Sequence, residues 1–201
     1  LLNVRQSFRS GFWLKSTEIL KGISFEVPRK SLFGFLGPNG AGKTTLIHLI
    51  TGIKQPASGS VSIDGIPTAS REAKQKIGYL PERPYFYDHL TGEQLLRYFG
   101  RLSGMVEVDI SSRISPVLEL VGMGHAGKLE LSKYSKGMLQ RIGIAQALIH
   151  NPELLVLDEP MSGLDPVGRK EIRELILQLA REGRTIFFSS LLNLICWHIF
   201  S

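Results

Sequence analysis

Gly37-Pro38-Asn39-Gly40-Ala41-Gly42-Lys43-Thr44 is the stretch of sequence that decides the fold of this chain. Two glycines flank four residues and Lys-Thr follows them, which is the pattern of a phosphate-binding loop, or P-loop. The apolar run Leu32–Leu36 predicts a buried strand before the loop, and apolar residues at helical spacing over 46–50 predict a helix after it. Because this loop type requires a strand before it and a helix after it, the sequence predicts an α/β core.

The residue types in the loop explain how it would hold an anion. Glycine has no Cβ, so the backbone at Gly37, Gly40 and Gly42 can turn its N–H groups toward anionic oxygens. The positive end of the following helix faces the same point. Lys43 can reach terminal phosphates, and the Thr44 hydroxyl can ligate Mg²⁺. A glycine-rich turn without function is disfavoured, since the match is complete and in context. The predicted phosphate-binding residues are Gly37, Pro38, Asn39, Gly40, Ala41, Gly42, Lys43, Thr44 and Thr45.

Composition limits the classes of protein to consider. The chain has 201 residues, 43% hydrophobic and 21% charged, which is enough for one α/β domain with a sizeable core and a small subdomain. The net charge of +6 comes from scattered Lys and Arg, so we expect a solvated surface rather than a nucleic-acid patch. The single Cys196 excludes an internal disulfide and favours a reducing compartment. We expect no signal peptide and no membrane span, so another chain would have to cross any membrane.

Strand and helix patterns alternate along much of the chain. Alternating apolar residues predict a strand over residues 23–27. Short apolar runs predict further strands at Ile77–Leu80, Leu154–Leu157 and residues 185–188. An amphipathic pattern predicts a helix over residues 167–182. Strands that alternate with helices imply a parallel sheet, and sites in such sheets lie at the carboxyl ends of the strands.

The pattern becomes mostly helical between residues 83 and 149. We predict one domain over residues 1–201, in which residues 1–82 and 151–201 form a nucleotide-binding core and about 83–150 form a helical subdomain. Within the first part of the core, Asp64-Gly65 follows an alternating run and predicts a tight turn.

Asp158 and Glu159 follow directly after the predicted strand Leu154–Leu157. Two adjacent carboxylates at the edge of an apolar core would cost several kcal/mol if buried and unpaired. A bound Mg²⁺ removes that difficulty, with Asp158 holding the metal while Glu159 orients and deprotonates an attacking water. The alternative is a strand end whose carboxylates meet solvent or cap the next helix. The upstream P-loop makes that alternative less favoured.

These motifs, in this order, resemble those of the nucleotide-binding subunits of ATP-binding cassette (ABC) transporters, over about residues 3–190. Residues 37–45 resemble the Walker A loop and residues 154–159 the Walker B strand. Ser162-Gly163-Leu164-Asp165 resembles the D-loop.

A fourth motif, the family signature, is usually Leu-Ser-Gly-Gly-Gln. Here it corresponds to Tyr134-Ser135-Lys136-Gly137-Met138, which matches at Ser135 and Gly137 only. The run Ser-Lys-Gly-Met-Leu-Gln-Arg is similar to bacterial exporter-type ATPases. From the residues alone, Ser135 could equally be an ordinary N-cap of a core helix.

The resemblance implies a P-loop NTPase core with a mainly parallel sheet, an N-terminal antiparallel β subdomain and a helical signature subdomain. It implies ATP and Mg²⁺ as cofactors, and a homodimer or heterodimer in which the signature of one subunit contacts the nucleotide of the other, head to tail. It further implies a multi-span membrane permease as partner, contacted near residues 85–89 and the Glu82 loop. The chain would lie in the cytoplasm at the inner face of the membrane, with no nucleic acid as partner.

The resemblance also assigns roles outside the Walker motifs. Glu82 stands where the family usually has Gln, keeping an oxygen that can reach Mg²⁺ but adding a charge. Phe8 corresponds to the aromatic ring that stacks on adenine, with Phe12 and Trp13 as alternatives. Beside the P-loop, the implied nucleotide-binding residues are Phe8, Glu82, Ser135, Gly137 and Asp165. Thr44, Asp158 and Glu82 are assigned to Mg²⁺, and Glu159 to catalysis.

The family pattern breaks after Ser190. The family places a His that contacts the γ-phosphate where this chain has Leu191, and His198 lies too far along to replace it. Residues 191–201 do not resemble the family, so one hypothesis is a frameshift or premature stop near Ser190 that leaves the C-terminal part incomplete. We expect ATP binding to survive and hydrolysis to be weakened by at least about tenfold.

Two alternative functions remain open. One is a catalytically impaired remnant that binds nucleotide without useful turnover. The other is a soluble ABC ATPase that acts on nucleic acid or ribosomes. The second is disfavoured, because only about 90 residues separate Thr45 from Ser135 and they contain no sustained heptads.

Overall fold

The computed structural model describes residues 1–10 and 15–191, with only the backbone considered at residues 8–10 and 15–17. Its strands and α-helices are, in chain order, β1 (Leu2–Ser10), β2 (Lys15–Ile23), β3 (Leu32–Leu36), α1 (Lys43–Ile50), β4 (Ser58–Ser60), β5 (Ser62–Ile63), β6 (Ile66–Pro67), α2 (Arg71–Gln75), β7 (Ile77–Leu80), α3 (Gly92–Leu102), α4 (Glu107–Leu120), α5 (Lys136–Leu148), β8 (Leu154–Leu157), α6 (Pro166–Arg181) and β9 (Thr185–Ser190). Two short 3₁₀ turns lie between α4 and α5.

A four-stranded parallel sheet, in the order β3-β9-β8-β7, forms the centre of the fold. Strands β3, β7, β8 and β9 all run the same way, so their carboxyl ends meet at one edge. The P-loop follows β3 and the acidic pair follows β8, which places both motifs at that edge. The predicted α/β fold with a mainly parallel sheet is confirmed.

The two central strands send alternate side chains to opposite faces of this sheet. On β8, Leu155 and Leu157 join an apolar cluster with α3, α4, α5 and α6, whereas Val156 joins a second cluster with α1, β1 and β2. On β9, Phe188 lies in the first cluster and Phe187 in the second. Burial on both faces explains why these strands read as continuous apolar runs in the sequence.

A second sheet is antiparallel, in the order β2-β1-β4, and confirms the predicted N-terminal antiparallel β structure. A small hairpin, β5 with β6, follows it. Asp64 (φ 52°) and Gly65 (φ 79°) both have positive φ at its turn, as the Asp-Gly pair predicts.

The prediction of a strand over residues 23–27 is wrong, because β2 ends at Ile23. The alternation has a different cause. Phe25 and Val27 are partly buried against the second apolar cluster, but no strand among residues 1–10 and 15–191 pairs with this segment. Its backbone is instead held at single points, such as the Phe25 carbonyl, which accepts a hydrogen bond from the N-terminal ammonium.

Residues 83–149 contain helices α3, α4 and α5, as their helical pattern predicts. Thr91 and Gln94 form a reciprocal capping box at the start of α3. The predicted helix over residues 167–182 is α6, which begins one residue earlier, at Pro166. The buried residues of α3–α5 belong to the first apolar cluster, which also includes residues of the parallel sheet. The division into a core and a helical subdomain therefore stays a prediction. None of the helices within residues 1–10 and 15–191 combines the length and apolar character needed to cross a membrane.

Candidate active site

The P-loop joins the end of β3 to the start of α1. The Gly37 N–H donates to the Ser190 carbonyl at 3.2 Å, which ties the loop to the end of β9. Gly42 has φ 87°, and a Cβ built there would lie 2.8 Å from Cγ2 of Ile19 and 3.0 Å from Cδ2 of Leu20. Only glycine satisfies both the left-handed backbone and this close approach to β2. The sequence pattern of the loop therefore reflects a tightly packed turn.

Lys43 lies at the centre of the site and is only 7% exposed. Its Nζ donates to the Gly37 carbonyl at 2.7 Å and to the Pro38 carbonyl at 3.2 Å. The same atom lies 3.2 Å from Oε1 of Glu159. The P-loop lysine and one of the two predicted acidic residues therefore form an ion pair at the shared sheet edge.

Asp158 and Glu159 follow β8 as predicted, and each is held by a neighbouring strand. The Asp158 N–H donates to the Leu80 carbonyl of β7 at 2.9 Å, and the Asp158 side chain is almost fully buried. Its Oδ1 accepts a hydrogen bond from the Ser189 hydroxyl at 2.6 Å. Glu159 has a left-handed backbone (φ 48°), and its Oε2 accepts from the Leu191 N–H at 3.3 Å.

The negative charge of Asp158 affects titratable groups on both sides of it. Burial, together with the Asp158 charge, raises the pKa of Tyr79 on β7 to about 12. On α1, burial and the charge of Lys54 lower the pKa of His48, while Asp158 opposes that lowering. His48 lies four residues after Thr44, on the same face of the helix. The carboxylate of Asp158 therefore lies where β7, β8 and the first turns of α1 converge.

The oxygen groups at this edge fit Mg²⁺. Thr44 offers an exposed hydroxyl in the first turn of α1, and Asp158 offers a carboxylate. In the described part of the chain, no group of three or more His, Cys, Asp or Glu residues could hold a metal ion by itself. In nucleotide sites, Mg²⁺ is usually bound by one or two protein oxygens together with the substrate phosphates.

The other predicted site residues lie in or next to several different elements. Thr45 is half-buried in the first turn of α1, and Glu82 is exposed two residues after β7. Ser135 caps α5, accepting from the Met138 N–H at 3.3 Å, and Asp165 caps α6, accepting from the Gly168 N–H at 3.0 Å.

Among the described residues, no hydrogen bond or ion pair joins Glu82, Ser135, Gly137 or Asp165 to the P-loop. Their roles toward a nucleotide therefore stay predictions.

The aromatic residue predicted to stack on adenine cannot be placed from the described side chains. The backbone of Phe8 pairs with Thr17 across β1 and β2, and its side chain lies outside the described atoms. The alternatives Phe12 and Trp13 lie outside the described residues, as do Cys196 and His198.

Ser189 is predicted to lie at this edge with Ser190, at the carboxyl end of a strand, but the sequence assigns it no role. Its hydroxyl donates to Asp158 and also accepts from the Glu159 N–H at 2.9 Å. The available signal was the position of Ser189 at the carboxyl end of an apolar strand that adjoins the acidic strand. A side-chain bond between two strands cannot be assigned from that signal alone.

A family model described as ABC transporter matches residues 20–162, most of the chain. The chain belongs to the ABC transporter family. It is an ATP-binding domain of that family, and the matched range contains both the P-loop and the acidic pair.

Relatives of this ABC domain carry matching names. An uncharacterized ABC transporter ATP-binding protein of Synechocystis is 48% identical over 190 residues, covering 93% of this chain and 54% of the relative. The bacitracin transport ATP-binding protein BcrA of Bacillus licheniformis is 44% identical (84% and 55% covered). The lantibiotic transport ATP-binding protein SrtF of Streptococcus pyogenes is 39% identical (86% and 73% covered). The chain thus spans about half the length of the first two.

Solved structures support the fold independently. A bacterial ABC transporter cassette, described as dimeric, superposes with a TM-score of 0.83 over 94% of this chain and 86% of that chain, at 23% sequence identity. At this level of identity, the similarity establishes the cassette fold and nothing finer.

Proposed function

We propose that this ABC domain binds Mg·ATP at the carboxyl edge of its parallel sheet and hydrolyses it to power export by a membrane permease. The observation that carries the proposal is the convergence of Lys43, Asp158 and Glu159 at the P-loop. Hydrolysis of ATP is the general activity that the family supports.

The proposed chemistry follows from the contacts of Lys43 and Glu159. A terminal phosphate oxygen of ATP would replace Glu159 as the partner of Lys43, whose other contacts to the Gly37 and Pro38 carbonyls keep it in the loop. Glu159, released from the ammonium, would accept a proton from the attacking water. Mg²⁺ bound to Thr44 and Asp158 would neutralise charge on the phosphate oxygens.

Leu191 supports a slower reaction than the family norm. Its N–H contacts Glu159, but its side chain offers no donor to a γ-phosphate. We expect one missing electrostatic contact to lower turnover by about tenfold or more. A nucleotide-binding chain with little turnover is therefore the second candidate function.

We further propose a head-to-tail pair of ABC domains. Ser135 and Gly137 stand at the N-terminus of α5, whose N–H groups suit an anion. No contact joins this terminus to the P-loop of the same chain within the described residues. A nucleotide bound to one subunit would meet the α5 terminus of the other. The dimeric state in the name of the similar solved cassette agrees with such a pair.

The names of the relatives support transport as the coupled process. BcrA and SrtF are named for bacitracin and lantibiotic transport, so bacitracin and lantibiotics are substrates to test for the proposed export. We place this chain at the cytoplasmic face of a membrane beside a multi-span permease.

A groove of about 430 Å³ between α2, β7 and α3 is the proposed permease contact. The exposed side chains of Tyr85 (91% exposed) and Leu102 (64% exposed) line it, together with Arg71 and Lys74. A short amphipathic helix of the permease would fit this groove.

Calorimetry with Mg·ATP tests the proposed function. We expect a saturable heat with the wild-type chain and an affinity lower by about tenfold to a hundredfold in Lys43→Ala, which loses one charge-assisted contact. Lys170→Ala, which removes an exposed lysine of α6, is the matched control and should bind as the wild type does. Absence of binding by the folded wild-type chain would refute the proposal.

A further inference from the structure

We propose that Ser189 is a positioning residue that sets the Mg²⁺ dependence of nucleotide binding. This inference rests on the proposed function and concerns the same site. The hydroxyl of Ser189, at the end of β9, holds the carboxylate of Asp158 and the backbone of Glu159 at once. One side chain thereby fixes both acidic residues of the site from a neighbouring strand.

The direction of each hydrogen bond follows from the chemistry of the groups. The Glu159 N–H can only donate, so the Ser189 oxygen accepts from it at 2.9 Å. The hydroxyl has a single proton, which therefore points to Oδ1 of Asp158 at 2.6 Å. That short bond to a charged oxygen is the stronger of the two. Ser189 has no exposed surface, so water does not compete for either partner.

The hydrogen bond from Ser189 restricts the orientation of the Asp158 carboxylate. The backbone of Asp158 is tied to Leu80 of β7, and Oδ1 is tied to Ser189 of β9. With both ends held, Oδ2 has a defined position from which to meet a hydrated metal. Groups that orient a metal-binding carboxylate in this way typically change metal affinity by about 10-fold to 100-fold when removed.

The bond to Glu159 supports an unfavourable backbone conformation. A left-handed φ of 48° is disfavoured for a residue with a Cβ, and Ser189 accepts the N–H of that residue. This conformation directs the Glu159 carboxylate toward Lys43 on one side and the Leu191 N–H on the other. The end of β9 therefore contacts the amide and the carboxylate of Glu159 and the carboxylate of Asp158.

Ser190 provides a natural comparison. It is the next residue of β9, has the same residue type and is also buried, at 4% exposed. Successive strand residues point to opposite faces, and within the described residues the Ser190 hydroxyl makes no hydrogen bond. Removing its hydroxyl keeps the Ser190 carbonyl that accepts from Gly37. If ATP binding changed simply because a buried hydroxyl was removed from β9, the substitutions Ser189→Ala and Ser190→Ala would thus have the same effect.

The experiment measures ATP affinity of the full chain by calorimetry, once with excess Mg²⁺ and once with EDTA. The ratio of the two dissociation constants reports the contribution of the metal. We expect Ser189→Ala to reduce this ratio by about 10-fold, while the affinity measured in EDTA stays within a few-fold of the wild type. Ser189→Thr, which keeps the hydroxyl, and Ser190→Ala should retain the wild-type ratio.

Thermal unfolding without nucleotide shows whether each variant is folded. Should Ser189→Ala not fold, Ser189→Cys replaces it, because sulfur keeps the volume but donates poorly. A wild-type ratio in a folded Ser189→Ala or Ser189→Cys chain overturns the inference. An equal reduction in Ser190→Ala overturns it as well. If the wild-type chain binds ATP equally with and without Mg²⁺, the proposed function fails instead, so the two failures are distinct.

Discussion

At the residue scale, Leu191 stands where the resemblance predicts a histidine, and we expect this difference to have the largest effect on turnover. Its backbone N–H contacts Glu159, and this contact survives any substitution except proline. We predict that Leu191→His raises the rate of phosphate release by about tenfold, because the imidazole adds a donor where negative charge develops. Leu191→Met, similar in volume but without a donor, is the control. Equal rates in all three chains would show that position 191 does not limit turnover.

His150 is partly buried in the segment between α5 and β8, and its titration makes the stability of the fold depend on pH without involving the candidate active site. Burial lowers its pKa below the ordinary 6.5, the Ile77 carbonyl opposes this, and the charge of Arg113 adds to the lowering. Below about pH 6.5 the unfolded chain therefore binds more protons at this residue than the folded chain does. The contribution of His150 to the stability of the fold is therefore complete above that pH and decreases as the pH falls toward the lowered pKa.

We predict that His150→Gln reduces the decrease in stability that occurs as the pH falls. Glutamine does not titrate and keeps an N–H donor for the Ile77 carbonyl, which His150 contacts at 3.0 Å. Urea unfolding between pH 7 and pH 5 measures the effect as the change in the free energy of unfolding. Part of the loss should remain, because burial also lowers the pKa of His48. An unchanged slope in His150→Gln would mean that His150 is already accessible to protons in the folded chain.

Single residues also show what the sequence could and could not predict. Lys43 and Glu159 were predictable because each lies in a local motif whose chemistry is complete within a few residues. Ser189 was not, because its role depends on β9 lying beside β8, more than 25 residues apart in sequence. A pattern within one segment does not specify which side chain of another strand it will meet.

At the element scale, local signals were most reliable where they came with a cap. The predicted bounds of helix α6 are right to within one residue, because Gly183 marks the end of its apolar spacing. Asp165-Pro166, which the sequence prediction did not use, marks its start. The strand predicted over residues 23–27 failed for the opposite reason. Alternation at Phe25 and Val27 reports partial burial, whereas a strand also needs a neighbouring chain, which only the tertiary fold provides.

Asp165 has one observed role and one predicted role. It is the N-cap of α6, and it lies in the predicted D-loop. Its Oδ1 accepts from the Gly168 N–H at 3.0 Å. We predict that Asp165→Ala costs about 1 kcal/mol of stability, while Asp165→Asn costs little, because asparagine is an equally good N-cap. Denaturant unfolding measures both.

ATP turnover by the same variants then separates the cap from the D-loop. If the carboxylate matters for the nucleotide, Asp165→Asn should slow turnover as much as Asp165→Ala does. Normal turnover in the asparagine variant would leave capping as the whole role of Asp165.

At the scale of the whole molecule, the parallel sheet explains why distant motifs form one site. Four strands that run the same way bring the P-loop, the acidic pair and Ser189 to one edge, although they span more than 150 residues of sequence. Within the described residues, no hydrogen bond or ion pair joins the N-terminus of α5 to the P-loop. In the proposed pair, the α5 terminus of one chain would instead contact the nucleotide bound by the other chain.

Complementation between two inactive chains tests this pairing. In a head-to-tail pair, each site combines the P-loop of one subunit with the α5 terminus of the other. Lys43→Ala impairs the P-loop. Gly137→Arg blocks the α5 terminus, and the nearest atom to a Cβ at Gly137 is Oγ of Ser135 at 3.9 Å, so a side chain there has space and should not disturb the fold. Neither variant alone should pair with Mg·ATP, whereas an equimolar mixture contains one intact composite site in each mixed pair.

We therefore predict that the mixture, but neither variant alone, forms ATP-dependent pairs. Sedimentation velocity measures pairing directly, with Glu159→Gln added to both chains so that hydrolysis does not dissolve the pair. The positive control is an equimolar mixture of Lys43→Ala with an otherwise unmodified Glu159→Gln chain that carries a mass tag. The mixed pair, which sedimentation distinguishes by mass from pairs of the tagged chain alone, contains one intact composite site. Absence of pairs from the mixture, with pairs present in this control, would mean that the α5 terminus does not act across a subunit boundary. Restored pairing would show that each site needs residues from two chains, because no single chain in the mixture contains both an intact Lys43 and an intact Gly137.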